Sequence, residues 1–279
     1  MRGRPFSQVD VFTAVPYKGN PVAVVLDGEG LSDTEMQAFA NWTNLSETTF
    51  VLPPSDPAAD YRVRIFTPKA ELPFAGHPTL GTAHAMIEAG IAAPHDGKLI
   101  QQCAVGLVEL TVGAGALSFC LPRYAVAYAP DPEEAIAWIG GAALRGGAKA
   151  VDVGPVWLIA ELAEIEALEN LRHDPVRLTA YYEQYGLTGA TLFAADGNRV
   201  VVRSFAPGDG IPEDPVCGSG NGAVAAYRLT AGQVGSGDTY RASQGRQLGR
   251  DGWIDIRFDG DDIHVGGNCV TCVRGEVQL

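Results

Sequence analysis

Nowhere does the chain carry the ~18 consecutive apolar residues that a membrane-crossing helix needs, so it has no helical membrane span. Basic side chains are scarce as well. Twenty Lys and Arg stand against 33 Asp and Glu, a formal net charge of −13 that repels a polyphosphate backbone and excludes nucleic acid as a partner class. The five cysteines are an odd number that cannot all pair within one chain. No second C-x-x-C and no spaced His pair joins Cys269 and Cys272 in a zinc set, and residues three apart on the closing strand expected there point to opposite faces. No metal is therefore expected. The opening MRGRPFSQVDVF lacks the apolar core of a signal peptide, which, with the cysteine usage, predicts a cytoplasmic chain without structural disulfides.

What is present is one segment written twice. RIFTPKAELPFAGHPTLGTAHA runs from Arg64 to Ala85, and RSFAPGDGIPEDPVCGSGNGAVAAY from Arg203 to Tyr227. Arg64, Phe66 and Pro68 return 139 positions later as Arg203, Phe205 and Pro207, whereas Gly76 and Ala83 return after 142 as Gly218 and Ala225. The second copy is thus three residues longer. Each copy passes from an apolar strand pattern through a Pro-bearing loop into a Gly-led helix, so two similar halves would bring two helix N-termini to one small anion. At 279 residues the chain also sits near the size where a single core stops growing. The expectation is an α+β protein of two pseudo-symmetric domains, 1–121 and 122–279, with a cleft between them and the last strand available to pack back on the first domain.

Local patterns fill in this plan. Val9 to Leu26 reads as two short strands around a turn cluster, and LSDTEMQAFANWTN as an amphipathic helix capped by Ser32 or Asp33, with Met36, Phe39, Ala40 and Trp42 as its apolar positions. Strands are predicted at Thr48 to Val51 and Arg62 to Phe66, and a helix from the GHPT turn to about Ala89, closed by Gly90. Leu121 to Pro132 is the expected linker. In the second half, helices are predicted at about Glu161 to Leu168 and Leu178 to Tyr185, and strands through DTYRASQG, WIDIRFDG and DIHVGGNCVTCV.

Three places could carry chemistry. In NLSETTF, Ser46 and Glu47 lie between a helix end and an apolar strand, where a partly desolvated carboxylate suits proton transfer. In PFAGHPT, His77 precedes a Pro of the kind found in a first helical turn, which puts Gly76 and His77 at the helix entry. In EDPVCGSGNGA, Asp214 stands before a Pro, Cys217 sits at a helix entry that lowers thiol pKa values, and Gly218, Ser219 and Gly220 open the helix with accessible backbone donors. The same GSGNGA also fits G-x-G-x-x-A with Asp238 twenty residues past Gly218, a nucleotide-binding pattern, although EDPVC is a poor hydrophobic strand to precede it.

SETTF, FTPKAELPFAGHPTLG and EDPVCGSGN, in that order along almost the whole chain, resemble the motifs of the PhzF-type phenazine-biosynthesis-like proteins within the diaminopimelate epimerase-like fold. The resemblance implies two domains, each a mixed sheet or open barrel around a central helix, and a homodimer. It also implies isomerase chemistry on a small carboxylate-bearing substrate with no metal or organic cofactor. Carried over, Glu47 falls on the acid/base carboxylate, and His77 and Asp214 on further catalytic positions. Asn20, Ser46, Gly76, Gly218 and Ser219 fall on substrate contacts. The chain departs from the racemases of the same fold, which use one thiol at each central helix. Cys217 matches the second thiol, but Ala75 occupies the first position and cannot carry a proton. Cys217 also replaces the threonine frequent in the PhzF branch. It is either a relic or a second proton carrier opposite Glu47. A non-catalytic small-molecule-binding protein of the same fold is the remaining alternative.

Overall fold

The computed structural model describes residues 1–113, 115–207 and 211–279; the expected loop positions Gly208, Asp209 and Gly210 lie outside the described residues. Strands and helices combine in a mixed α+β fold. By packing, the chain divides into two compact units, Met1–Cys120 with Gly266–Leu279, and Leu121–Val265.

In the first unit the order is β1 (Gly3–Val11), β2 (Asn20–Val25), α1 (Asp33–Thr43), β3 (Glu47–Leu52), β4 (Tyr61–Phe66), β5 (Glu71–Leu72), α2 (Gly76–Glu88), β6 (Lys98–Cys103), β7 (Gly106–Val112) and β8 (Ala116–Cys120). β1 and β2 are antiparallel, β2 and β3 parallel, β3 and β4 antiparallel. β4 then forks. Its first two residues pair with β6 and its last two with the short β5.

α1 starts where the sequence signals it. Ser32 accepts from the Glu35 N–H while the Glu35 carboxylate reaches back to the Ser32 N–H, a capping box that satisfies two orphan donors. Met36, Phe39 and Ala40 face Phe50 and Phe66 in the core, and each fully buried aromatic there contributes about 1.5–3 kcal/mol. Trp42 does not join them. It is 78% exposed and stacks on the outer side of Phe39, because its position falls off the buried stripe. α2 is buried on nearly every side against β1, β2, β3 and β8, which explains its small residues: strands approach too closely for larger ones.

The second unit continues with β9 (Ala125–Tyr128), α3 (Glu134–Ala137), β10 (Lys149–Asp152), β11 (Val156–Glu161), α4 (Ile165–Glu169), α5 (Pro175–Tyr185), β12 (Gly189–Asp196), β13 (Arg199–Ala206), β14 (Ile211–Asp214), α6 (Gly218–Thr230), β15 (Thr239–Gln244), β16 (Gly252–Asp259) and β17 (Asp262–Gln278), whose residues from Gly266 onward belong to the first unit and from Cys269 onward pair with β1. β11 and β12 are parallel, β12 and β13 antiparallel, and β13 forks between β15 and β14 as β4 does between β6 and β5. α6 is the buried helix here.

Several expected boundaries move. The expected linker contains β9, which pairs with β10, since backbone groups entering a packed region need partners. The helix expected from Glu161 begins only at Ile165; Glu161 ends β11 opposite Phe193. α5 begins three residues early because Asp174 caps it by accepting from the Val176 and Arg177 N–H groups, with Pro175 at the first position.

Candidate active site

In the first unit, the parallel pairing of β2 with β3 sets Glu47 opposite Val22. Asn44 closes α1 in the left-handed region at φ 54°, a conformation Asn tolerates, and the chain turns at once into β3. Glu47 is the first residue of that strand, with its side chain 15% exposed. His77 is the second residue of α2 rather than its cap: the cap is Ala75, which has no side chain able to accept from the helix end. His77 Nδ1 stands 3.2 Å from Glu47 Oε2. Burial pulls the imidazole pKa down to about 4, against an opposing hydrogen bond to the Pro21 carbonyl, so the ring is neutral near pH 7.

Three other expected residues lie on the same elements. Asn20 is buried as the first residue of β2, and Gly19 beside it donates its N–H to Asp10 Oδ2 at 3.0 Å. Gly76 opens α2 where an added Cβ would stand 2.6 Å from the Phe119 ring, so close packing requires glycine. Ser46 is half-buried beside Glu47.

The second unit holds the remaining expected residues around one side chain that the sequence did not point to. Gln244, at the end of β15 and buried, accepts through Oε1 from the Cys217 N–H (3.1 Å) and from Asn221 Nδ2 (2.8 Å), and donates through Nε2 to the Asp214 carbonyl (3.0 Å). Asn221 also donates to the Cys217 carbonyl at 2.9 Å. This web fixes the turn between β14 and α6. A lone Gln inside a strand pattern gives no signal for such a role, because its partners are distant in sequence.

Within that turn, Asp214 Oδ1 accepts from the Val216 N–H at 3.0 Å. Burial raises its carboxyl pKa to about 6; the Val216 N–H and Cys217 thiol bonds pull it down and Glu213 pushes it up. Cys217 is the N-cap of α6, its sulfur accepting from the Gly220 N–H at 3.3 Å, and it lies 3.6 Å from Ser219 Oγ. Ser219 Oγ in turn accepts from Trp157 Nε1 at 3.2 Å. Gly218 supplies the first helical N–H. The glycine spacing that resembles a nucleotide motif has a packing cause here: a Cβ on Gly220 would meet Thr191 Oγ1 at 2.6 Å, and one on Gly222 would crowd Leu121. Asp238 accepts from Gly235 within its own turn.

No three of His, Cys, Asp or Glu cluster at metal-binding distance among the described residues.

The model of the family described as "Phenazine biosynthesis-like protein" (PhzC-PhzF) matches residues 9–275. The chain belongs to the PhzC-PhzF family. It is 38% identical over 295 residues to antisense-enhancing sequence 1 of Schizosaccharomyces pombe, covering 99% of each chain. It is 34% identical over 286 residues to trans-2,3-dihydro-3-hydroxyanthranilate isomerase of Pseudomonas chlororaphis, covering 97% of this chain and 98% of that one, and is thus a homologue of PhzF-family isomerases. The fold matches that of a Bacillus anthracis PhzF-family protein over 100% of both chains, with a TM-score of 0.87 at 24% identity. It also resembles an Agrobacterium vitis hydroxyproline epimerase, with a TM-score of 0.69 at 14% identity over 100% of this chain and 93% of that one. That second likeness is one of fold alone.

Proposed function

We propose that this PhzF-family chain is an isomerase that moves a proton on a small carboxylate-bearing substrate, with Glu47 as general acid and base and no metal or organic cofactor in the proton route. The observation that carries the reading is the 3.2 Å approach of Glu47 Oε2 to a neutral, buried His77. A carboxylate that must accept and then release a proton needs a partner that orients it without neutralising it, and an uncharged imidazole does this. The full-length relationship to an isomerase acting on trans-2,3-dihydro-3-hydroxyanthranilate supports the reaction class.

In this reading the two units are pseudo-symmetric domains, and the enzyme works as a homodimer. Glu47 takes a proton from an activated carbon and returns it elsewhere on the same molecule. His77 holds the carboxylate in place. Asp214, its pKa raised to about 6, is partly protonated near neutrality and shares the proton traffic. Backbone N–H groups at Gly76 and Gly218 stabilise developing enolate-like charge, a contribution of about 3 kcal/mol for a well-placed donor. Asn20, Ser46 and Ser219 position the substrate, and Cys217 serves the helix end.

The test uses trans-2,3-dihydro-3-hydroxyanthranilate as first substrate, in D₂O. The wild-type chain is expected to incorporate deuterium at carbon, and Glu47→Gln to lose about 10²- to 10⁴-fold in turnover with its unfolding midpoint nearly unchanged. An undiminished rate in Glu47→Gln defeats the assignment. Tight binding without deuterium incorporation by the wild-type chain would favour the binding-protein reading.

A further inference from the structure

The fork of β4 leaves a notch. Tyr61 and Arg62 pair with β6, Ile65 and Phe66 pair with β5, and the edge at Val63 and Arg64 between them has no partner strand. A cavity of about 250 Å³ occupies this gap, lined by Val63, Leu72, Cys103 and Ala104 together with the polar residues Arg62, Arg64, Glu71 and Gln102. Three of the four polar groups are committed. Arg64 is held by Glu71 and Asp33, and Gln102 is bound to Ser55. The Arg62 side chain has no hydrogen-bond or ion-pair partner among the described residues.

The second unit shows the same fork filled. β13 pairs through Val202 with β15 and from Ser204 onward with β14. There Val201 replaces Arg62 and is buried, and Arg203 donates to the carbonyls of Leu168 and Leu171, which the α4 segment lays over the fork. Among the described residues, no such carbonyls meet Arg62 in the first unit.

We propose that this notch binds a small monocarboxylate with an apolar body, the carboxylate on Arg62 and the body against Leu72 and Ala104. Arg64 is already matched by Glu71 and Asp33, so Arg62 offers the one positive charge and suits one negative group better than two. Guanidinium and carboxylate match as a two-pronged pair. The site is separate from Glu47. Arg62 pairs with Leu52, five residues along β3 from Glu47, a separation of about 17 Å at strand spacing.

Backbone amide NMR on the whole chain, titrated with benzoate, tests this. Saturable shifts are expected at Arg62, Val63, Arg64, Gln102, Cys103 and Ala104, with benzamide and inorganic phosphate at least about tenfold weaker. Arg62→Gln should weaken benzoate about tenfold at these amides while leaving the remaining spectrum in place. Ala104→Phe, which fills the notch from an exposed hairpin, should abolish the shifts if Arg62→Gln does not fold. The same shifts in Glu47→Gln would show the site to be independent of the proposed acid/base residue. Shifts confined to Glu47, Gly76 and His77, equal binding of benzamide or phosphate, or indifference to Arg62→Gln would each overturn the proposal.

Discussion

Arg64 and Arg203 occupy matching places in the two units and make the same local contacts. Each guanidinium grips a glutamate with two hydrogen bonds, Glu71 at 2.7 and 2.6 Å and Glu213 at 2.9 and 2.8 Å, and each lies 5.1 Å from the ring of the Phe two residues on. Their surroundings differ. The Arg203 and Glu213 side chains are 6% and 12% exposed, and two further carbonyls take the remaining guanidinium donors. Glu71 is 38% exposed and Asp33, the other partner of Arg64, 83%. A repeated motif keeps its geometry because strand register and turn set it; its energy depends on what the rest of the chain lays over it.

The largest expected effect tests that contrast directly. Arg203→Ala strands Glu213 in a buried setting and should cost about 3–5 kcal/mol in urea unfolding, whereas Arg64→Ala should cost about 1 kcal/mol or less. Equal costs would break the comparison. Replacing Arg203 and Glu213 together by Met should recover much of the loss, because the stranded charge is gone.

The two helix entries make the next comparison, with opposite pH slopes. His77 has a folded pKa near 4, below its unfolded value near 6.5, so the native state binds fewer protons than the unfolded state between them and stability falls as pH drops through this window. His77→Asn should remove about 3 kcal/mol of that acid loss. Asp214 runs the other way. Its folded pKa of about 6 lies above the unfolded value of 3.8, so stability is lost as pH rises from about 4 to 6. Asp214→Asn should relieve about 2 kcal/mol above pH 6, less than the full shift because the carboxylate keeps some solvent contact. Denaturation at pH 4, 5, 6 and 7 separates the two, and a common slope in both variants would contradict the assignment.

The smallest effects concern the caps. Cys217→Ala removes the sulfur that accepts from Gly220 and should cost about 1 kcal/mol, while Ala75→Ser gives α2 an acceptor and should gain about 0.5–1 kcal/mol. A thermal melt of each variant decides whether the two helix entries differ in this way.

Most residues of the candidate site were legible in the sequence. Glu47, His77, Asp214 and Ser219 stand out because turn chemistry and helix-entry glycines are local, and Ser32, Gly90 and the strand alternation of Arg62 to Phe66 mark element ends for the same reason. Gln244, Asn221 and Trp157 escaped notice since each acts on a segment far away in sequence. Trp42, one of the apolar positions expected of α1, lies beside the buried stripe, and where a helix is expected from Glu161 the chain extends a strand whose partner is β12.

The order of residues by itself determined the duplication, the capped helices and the type of acid and base available, because backbone preference and side-chain chemistry belong to each short segment. Only the tertiary structure decided that His77 is uncharged beside Glu47, that Arg203 is sealed while Arg64 is open, and that Arg62 faces an unfilled fork. Desolvation and strand pairing depend on which distant segments pack together, and no local pattern encodes that.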